Sequence, residues 1–122
     1  QPRSRGLGDV YKRQYQWWTA VSKSFRDVVG EEGLGHAGAL ETALVAYLRP
    51  DWVRLERAVD EKPSKKFAVP AYAYWYTREL SQSGVFGVST RASRDLGRSA
   101  FEASVDALVR LVEEVRRYPI ES

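Results

Sequence analysis

Apolar positions recur at helical spacing in three stretches of the chain. Leu40, Leu44, Tyr47 and Leu48 fall at i, i+4, i+7 and i+8 with Ala43 on the same stripe, which predicts a helix with one buried face. Pro50 cannot continue that helix, and Arg49 stands where a cation suits its C-terminal carbonyls. Upstream, Val21, Phe25, Val28 and Val29 repeat the spacing, in a helix capped by Thr19 or Ser22 and stopped by Gly30. Downstream, Leu96, Ala100, Ala103, Ala107, Leu108, Leu111, Val112 and Val115 mark a long C-terminal helix, with Ser93 as N-cap, Asp95 in its first turn and Pro119 beyond its end. Gly97 inside this helix costs about 1 kcal/mol against alanine, so close packing is the expected reason for it.

Between the helices the pattern is irregular. Tyr15-Gln16-Trp17-Trp18 reads as the end of a strand, Asp51 to Arg54 as a single turn, and Leu55 to Val59 as a short extended piece. Asp60 to Lys66 reads as a solvated loop whose charges face water. Tyr72, Tyr74 and Tyr76 alternate within the aromatic stretch Phe67 to Tyr76, which suits an irregular strand with one aromatic face. No basic residue interleaves there until Arg78, so the stretch reads as an interface or pocket wall rather than a platform for stacked bases. Leu80 to Thr90 holds Gly84 and Gly87 and reads as a loop.

Charge changes this picture only at the start of the chain. In residues 1–14, four cations against one anion account for the whole formal charge of +3, and the remaining 15 cations and 15 anions cancel. Without a clustered basic face, neither nucleic acid nor an anionic membrane is an expected partner. Ser4 to Gln14 is similar to translated sequencing-adaptor sequence, so residues 1–14 are set aside as a non-native or disordered tail. Residues 15–118 are then one domain's worth of chain, and 119–122 a short tail. The absence of cysteine suits a reducing compartment. No apolar run approaches the roughly 20 residues of a bilayer span and no signal-peptide pattern is present, so the expected location is cytoplasmic.

Candidate chemistry centres on Gly33-Leu34-Gly35-His36-Ala37-Gly38, where glycines flank the chain's only histidine directly before a helix. Backbone N–H groups at such a helix start are free to face a ligand, and Glu41 lies in its first turn. Three readings are open. His36 can be a structural cap with Glu41 solvated; it can be a general acid/base, since imidazole titrates near neutrality and a carboxylate can orient it; or it can ligate metal. For the last, one His and one Glu are too few, and no second His or any Cys exists to complete a zinc site.

Two blocks resemble the creatininase (creatinine amidohydrolase) family. Gly35-His36-Ala37-Gly38-Ala39-Leu40-Glu41-Thr42, with Leu48-Arg49-Pro50-Asp51-Trp52-Val53 after the helix, is similar to that family's Gly-His-(Ala/Gly)-Gly-x-x-Glu-Thr block and the turn that follows it. Ser83 to Gly97, leading into the last helix, matches a second block. The resemblance covers about residues 15 to 117 and only the C-terminal half of a family member. It implies the C-terminal part of a three-layer α/β/α domain with a long final helix, and hydrolysis of a C–N bond in a cyclic or linear amide. It implies two divalent metal ions, Zn or Mn, in the complete protein, whose ligands come from N-terminal motifs absent here, so no metal ligand is assigned in this chain and the fragment alone is expected to be inactive. Carried over by position, His36 is the acid/base group and Glu41 its supporting carboxylate. Gly35 and Gly38 shape the turn, and Trp18, with Trp17 as the neighbouring possibility, borders the substrate. The partners so implied are a small-molecule amide and, in the complete protein, further copies of the chain in a homo-oligomer, hexameric in the family. The flap tryptophan that precedes this histidine in creatininases is replaced by Glu32, which points away from creatinine itself as substrate. The reading from a different class is a non-catalytic protein-interaction module, with His36 as a cap and Phe67–Tyr76 as the binding surface.

Overall fold

The computed structural model describes residues 14–64 and 75–118. Helices α1 (Trp18–Gly33) and α2 (Ala39–Leu48) are followed by two 3-10 turns at Pro50–Trp52 and Leu55–Arg57, and by a two-residue strand β1 (Asp60–Glu61). The short helix α3 (Thr77–Leu80), the strand β2 (Gly87–Val88) and the long helix α4 (Arg94–Arg117) complete the order. β1 and β2 pair antiparallel, Asp60 opposite Val88 and Glu61 opposite Gly87.

The core lies where α1, α2 and α4 meet. Val21, Phe25, Leu40 and Ala100 form its buried centre, and Trp17, Leu34, Leu44 and Leu96 pack around them. The expected strand end at Tyr15–Trp18 is instead the lead into α1. Trp17, Val21, Phe25 and Val29 lie four residues apart, so the indole of Trp17 continues the buried helical stripe. Val28, expected on that stripe, is 63% exposed. Gly30 breaks the helix as expected, at φ +74°, and a final turn carries on to Gly33.

α2 and α4 make the most extensive contact in the fold, and small residues set it. Ala39, Ala43 and Ala46 are buried on α2 beside Leu40 while Leu48 is half exposed, so alanines supply most of the buried face. Opposite it, Gly97 of α4 sits so close to α2 that a Cβ there would overlap the carbonyl oxygen of Ala43. The expected packing role of Gly97 is therefore met by direct backbone approach. Ser93 caps α4 by accepting the Leu96 N–H at 3.1 Å.

Two loop expectations are corrected. Leu55–Val59 is not extended: Leu55–Arg57 forms a 3-10 turn, since pairing begins only at Asp60. Arg49 closes α2 with its N–H on Val45 O at 2.7 Å, and its guanidinium grips both carboxylate oxygens of Asp51 and stacks over Trp52 at 4.1 Å. The guanidinium holds the Asp51 carboxyl below its ordinary range. Asp60 and Glu61 do not simply face water, because both carboxylates accept backbone N–H groups. Of the aromatic stretch only Trp75 and Tyr76 are among the described residues, and both are exposed. No helix among the described residues is long and apolar enough to cross a membrane.

Candidate active site

The turn between α1 and α2 is built on backbone hydrogen bonds. Gly35 N–H donates to Glu32 O at 3.3 Å, Gly38 N–H to Gly35 O at 2.9 Å, and Thr42 N–H to Gly38 O at 3.0 Å. Ala37 takes a left-handed conformation, φ +52°, which is uncommon for a residue with a Cβ. Glu41 supports it: its Oε2 accepts the Ala37 N–H at 2.6 Å, and Thr42 Oγ1 donates to Ala37 O at 3.3 Å. This is a capping-box arrangement displaced by one residue, in which the N3 carboxylate reaches back past the N-cap Gly38. A carboxylate in the first turn also complements the helix dipole. His36 sits on the turn, exposed, with its ring 5.4 Å from that of Phe86 at 50°.

Phe86 belongs to the loop before β2, and its N–H donates to His36 O at 2.9 Å. The acidic pair of β1 secures that loop on both sides. Glu61 accepts the N–H groups of Gln82 (2.7 Å) and Ser83 (2.9 Å) and the Ser83 hydroxyl. Asp60 accepts the N–H groups of Ser89 (2.9 Å) and Thr90 (3.0 Å) and the Thr90 hydroxyl at 2.8 Å. Buried Ser89 also donates to Val59 O at 2.5 Å and accepts the Val59 N–H. Hydrogen bonding to the charged form lowers both acids. The Ser83 hydroxyl and the Gln82 and Ser83 N–H groups bring Glu61 down to about 2. The Thr90 N–H and hydroxyl lower Asp60.

The sequence profile of the creatininase family, described as creatinine amidohydrolase, matches residues 3–112. The chain belongs to the creatininase family. Among solved structures it is similar to a creatinine amidohydrolase (creatininase), at 24% identity and a TM-score of 0.67 over 86% of this chain. It is equally similar to a glutamate-to-glutamine mutant creatininase complexed with creatine (24% identity, TM-score 0.67, 85% of this chain). A mutant creatininase described as Zn–Zn type aligns at 24% identity and a TM-score of 0.63, also over 85% of this chain. The chain spans about 43% of the length of these structures. No curated protein sequence matches it. The fold is thus that of part of a creatininase, mixed helices with a small sheet and a long C-terminal helix.

Within this creatininase fold the five singled-out residues are not all in one place. Gly35, His36, Gly38 and Glu41 come together in the turn, and a Cβ at Gly35 would overlap the Phe86 carbonyl oxygen. Glu41 reaches the Ala37 backbone and not the imidazole, so it holds the turn rather than orienting the ring directly. Trp18 opens α1 and is 48% exposed, edge-on to Trp17 at 6.0 Å, while Trp17 packs into the core. Phe86, Asp60 and Glu61 were not singled out by sequence. The signal was a hydroxyl- and N–H-rich loop, Ser81 to Thr90, able to satisfy two adjacent carboxylates, but it lies 20 to 30 residues away from them. Among the described residues no three His, Cys, Asp or Glu side chains converge as metal ligands, and Glu41 is already engaged. This donor set does not fit a metal ion.

Proposed function

We propose that this chain contributes the acid/base part of a metal-dependent amidohydrolase that cleaves a C–N bond in a cyclic or linear amide. The observation that carries it is the His36 turn. Three glycines, a left-handed Ala37 and the Glu41 carboxylate hold an exposed imidazole whose nitrogens are taken up by no hydrogen bond among the described residues. A histidine acting only as a cap would spend a ring nitrogen on the helix start, whereas here Glu41 meets that need. In this reading water adds to the amide carbon and passes a proton to the His36 imidazole. His36 delivers a proton to the nitrogen as the C–N bond breaks, so that it leaves as a neutral amine. Trp18 borders the substrate, and Gly35 and Gly38 shape the turn.

The two divalent ions implied for the family, Zn or Mn, are held in this reading by residues outside this chain, and the chain alone is inactive. Residues 15–118 are its creatininase-like part, and the complete protein is a cytoplasmic homo-oligomer. Support comes from family membership.

The test is made in a complete family member carrying this chain as its C-terminal part. His36→Ala lowers kcat by about 10²–10⁴-fold with metal content unchanged. His36→Asn, which hydrogen-bonds but cannot shuttle a proton at neutral pH, is nearly as damaging. Near-normal turnover in the Asn variant would refute the acid/base role, and loss of metal in either variant would make His36 a ligand.

A further inference from the structure

We propose that Phe86 is a positioning residue for His36, fixing the direction in which the imidazole meets the substrate. The proposal rests on the acid/base reading of His36 above. An exposed histidine on a turn has two side-chain torsions to settle, and proton transfer needs its reacting nitrogen within hydrogen-bond reach of one atom. Glu41 fixes the backbone of the turn but does not touch the ring. Phe86 does both: its N–H binds His36 O at 2.9 Å and its ring lies tilted against the imidazole at 5.4 Å. That separation lies in the range of interacting aromatic pairs, with a tilt between stacked and edge-on.

Phe86 can serve as a reference point because it is itself held. Glu61 secures Ser83 three residues before it, and Asp60 secures Ser89 three residues after it. The two backbones also interlock. Gly35 leaves room for the Phe86 carbonyl, and Gly87 leaves room for the Glu32 carbonyl, so the two segments run in close backbone contact. The Lys62–Glu32 ion pair at 2.6 Å spans the same junction, exposed and correspondingly weak. The imidazole direction is thus set from β1, through the loop and Phe86, to His36.

His36 is the only histidine of the chain, so its imidazole protons can be followed by NMR without ambiguity. In the unsubstituted chain, nuclear Overhauser contacts between the imidazole and Phe86 ring protons are expected, and their absence overturns the proposal without any variant. Phe86→Leu is expected to shift the imidazole signals toward those of free histidine, and Phe86→Tyr to keep them in place. In the complete protein Phe86→Leu lowers kcat on the order of 10- to 10²-fold with KM little changed, and Phe86→Tyr restores it. Unmoved imidazole signals in a folded Phe86→Leu chain, or equal losses in the Leu and Tyr variants, overturn the positioning role. If instead the NMR contacts hold while His36→Asn turns over normally, the acid/base reading fails and the packing of Phe86 on His36 stands.

Discussion

A single methyl group at Gly97 would meet both the Ala43 carbonyl and, at 2.9 Å, the Cβ of Tyr47. Alanine favours a helix over glycine by about 1 kcal/mol, so in an open helix the change would stabilise. Here the atoms in the way are backbone, which cannot rotate aside, and the two helices must separate instead. Gly97→Ala is expected to destabilise by about 1–3 kcal/mol net, read as a lower urea midpoint with little change in m. The need for Gly97 was legible in the sequence because a glycine inside a strong apolar stripe demands a reason. The cap at Ser93 and the break at Gly30 were legible too, since each acts within four residues of itself. Val28 was not, because at 3.6 residues per turn either Val28 or Val29 can follow Phe25 inward.

The β1–β2 element shows what local pattern cannot supply. Two-residue strands carry no alternation to detect, and Asp60 and Glu61 look like solvent-facing charge until a loop more than 20 residues later closes on them. Their titration gives the element a pH signature. Glu61 has an ordinary value of 4.5 and is held at about 2 in the fold, so it binds fewer protons folded than unfolded as pH falls between these values. Its stabilising contribution is therefore complete above about 4.5 and lost progressively as pH drops toward 2. Thermal melts at pH 7, 4 and 2.5 are expected to show Tm falling with acid, with a shallower fall in Glu61→Gln. Asp60, lowered in the same sense, carries part of the remaining slope. At neutral pH the Gln variant melts lower, because its amide NH₂ faces N–H donors. On α2 the large residues announced a helix, but most of the positions buried in the fold are the alanines Ala39, Ala43 and Ala46, with Leu40.

Across the whole molecule, support is uneven along α4. Its N-terminal half packs on α2 around Gly97, Ala100 and the buried Ser104. Further along, Val105, Val109 and Val112 line a shallow apolar depression with Leu108, and Val112 is 56% exposed. With few contacts to hold it, the segment from Val105 to Arg117 is expected to exchange its amide hydrogens well before the segment from Leu96 to Ser104, measurable by NMR or mass spectrometry. Uniform protection along α4 would show that the distal half is covered. The helix itself was legible from its stripe. Which part of the stripe is buried was not, because that depends on α2, some 50 residues earlier.

The hydrogen bonds that tie β1 to the loop around Ser83 also bring together the ends of everything between them. Ser64 N–H donates to Leu80 O at 2.8 Å, and Glu61 holds Gln82 and Ser83, so Ser64 and Leu80 are fixed side by side. Holding two such positions together costs an entropy that grows only with the logarithm of the number of residues between them. Doubling that number adds about 0.6 kcal/mol. Change in length between Ser64 and Leu80 is therefore cheap for folding, while it redraws the surface carried by Trp75 and Tyr76. The geometry around His36 and Phe86, on the other side of the Glu61 clasp, does not have to move with it.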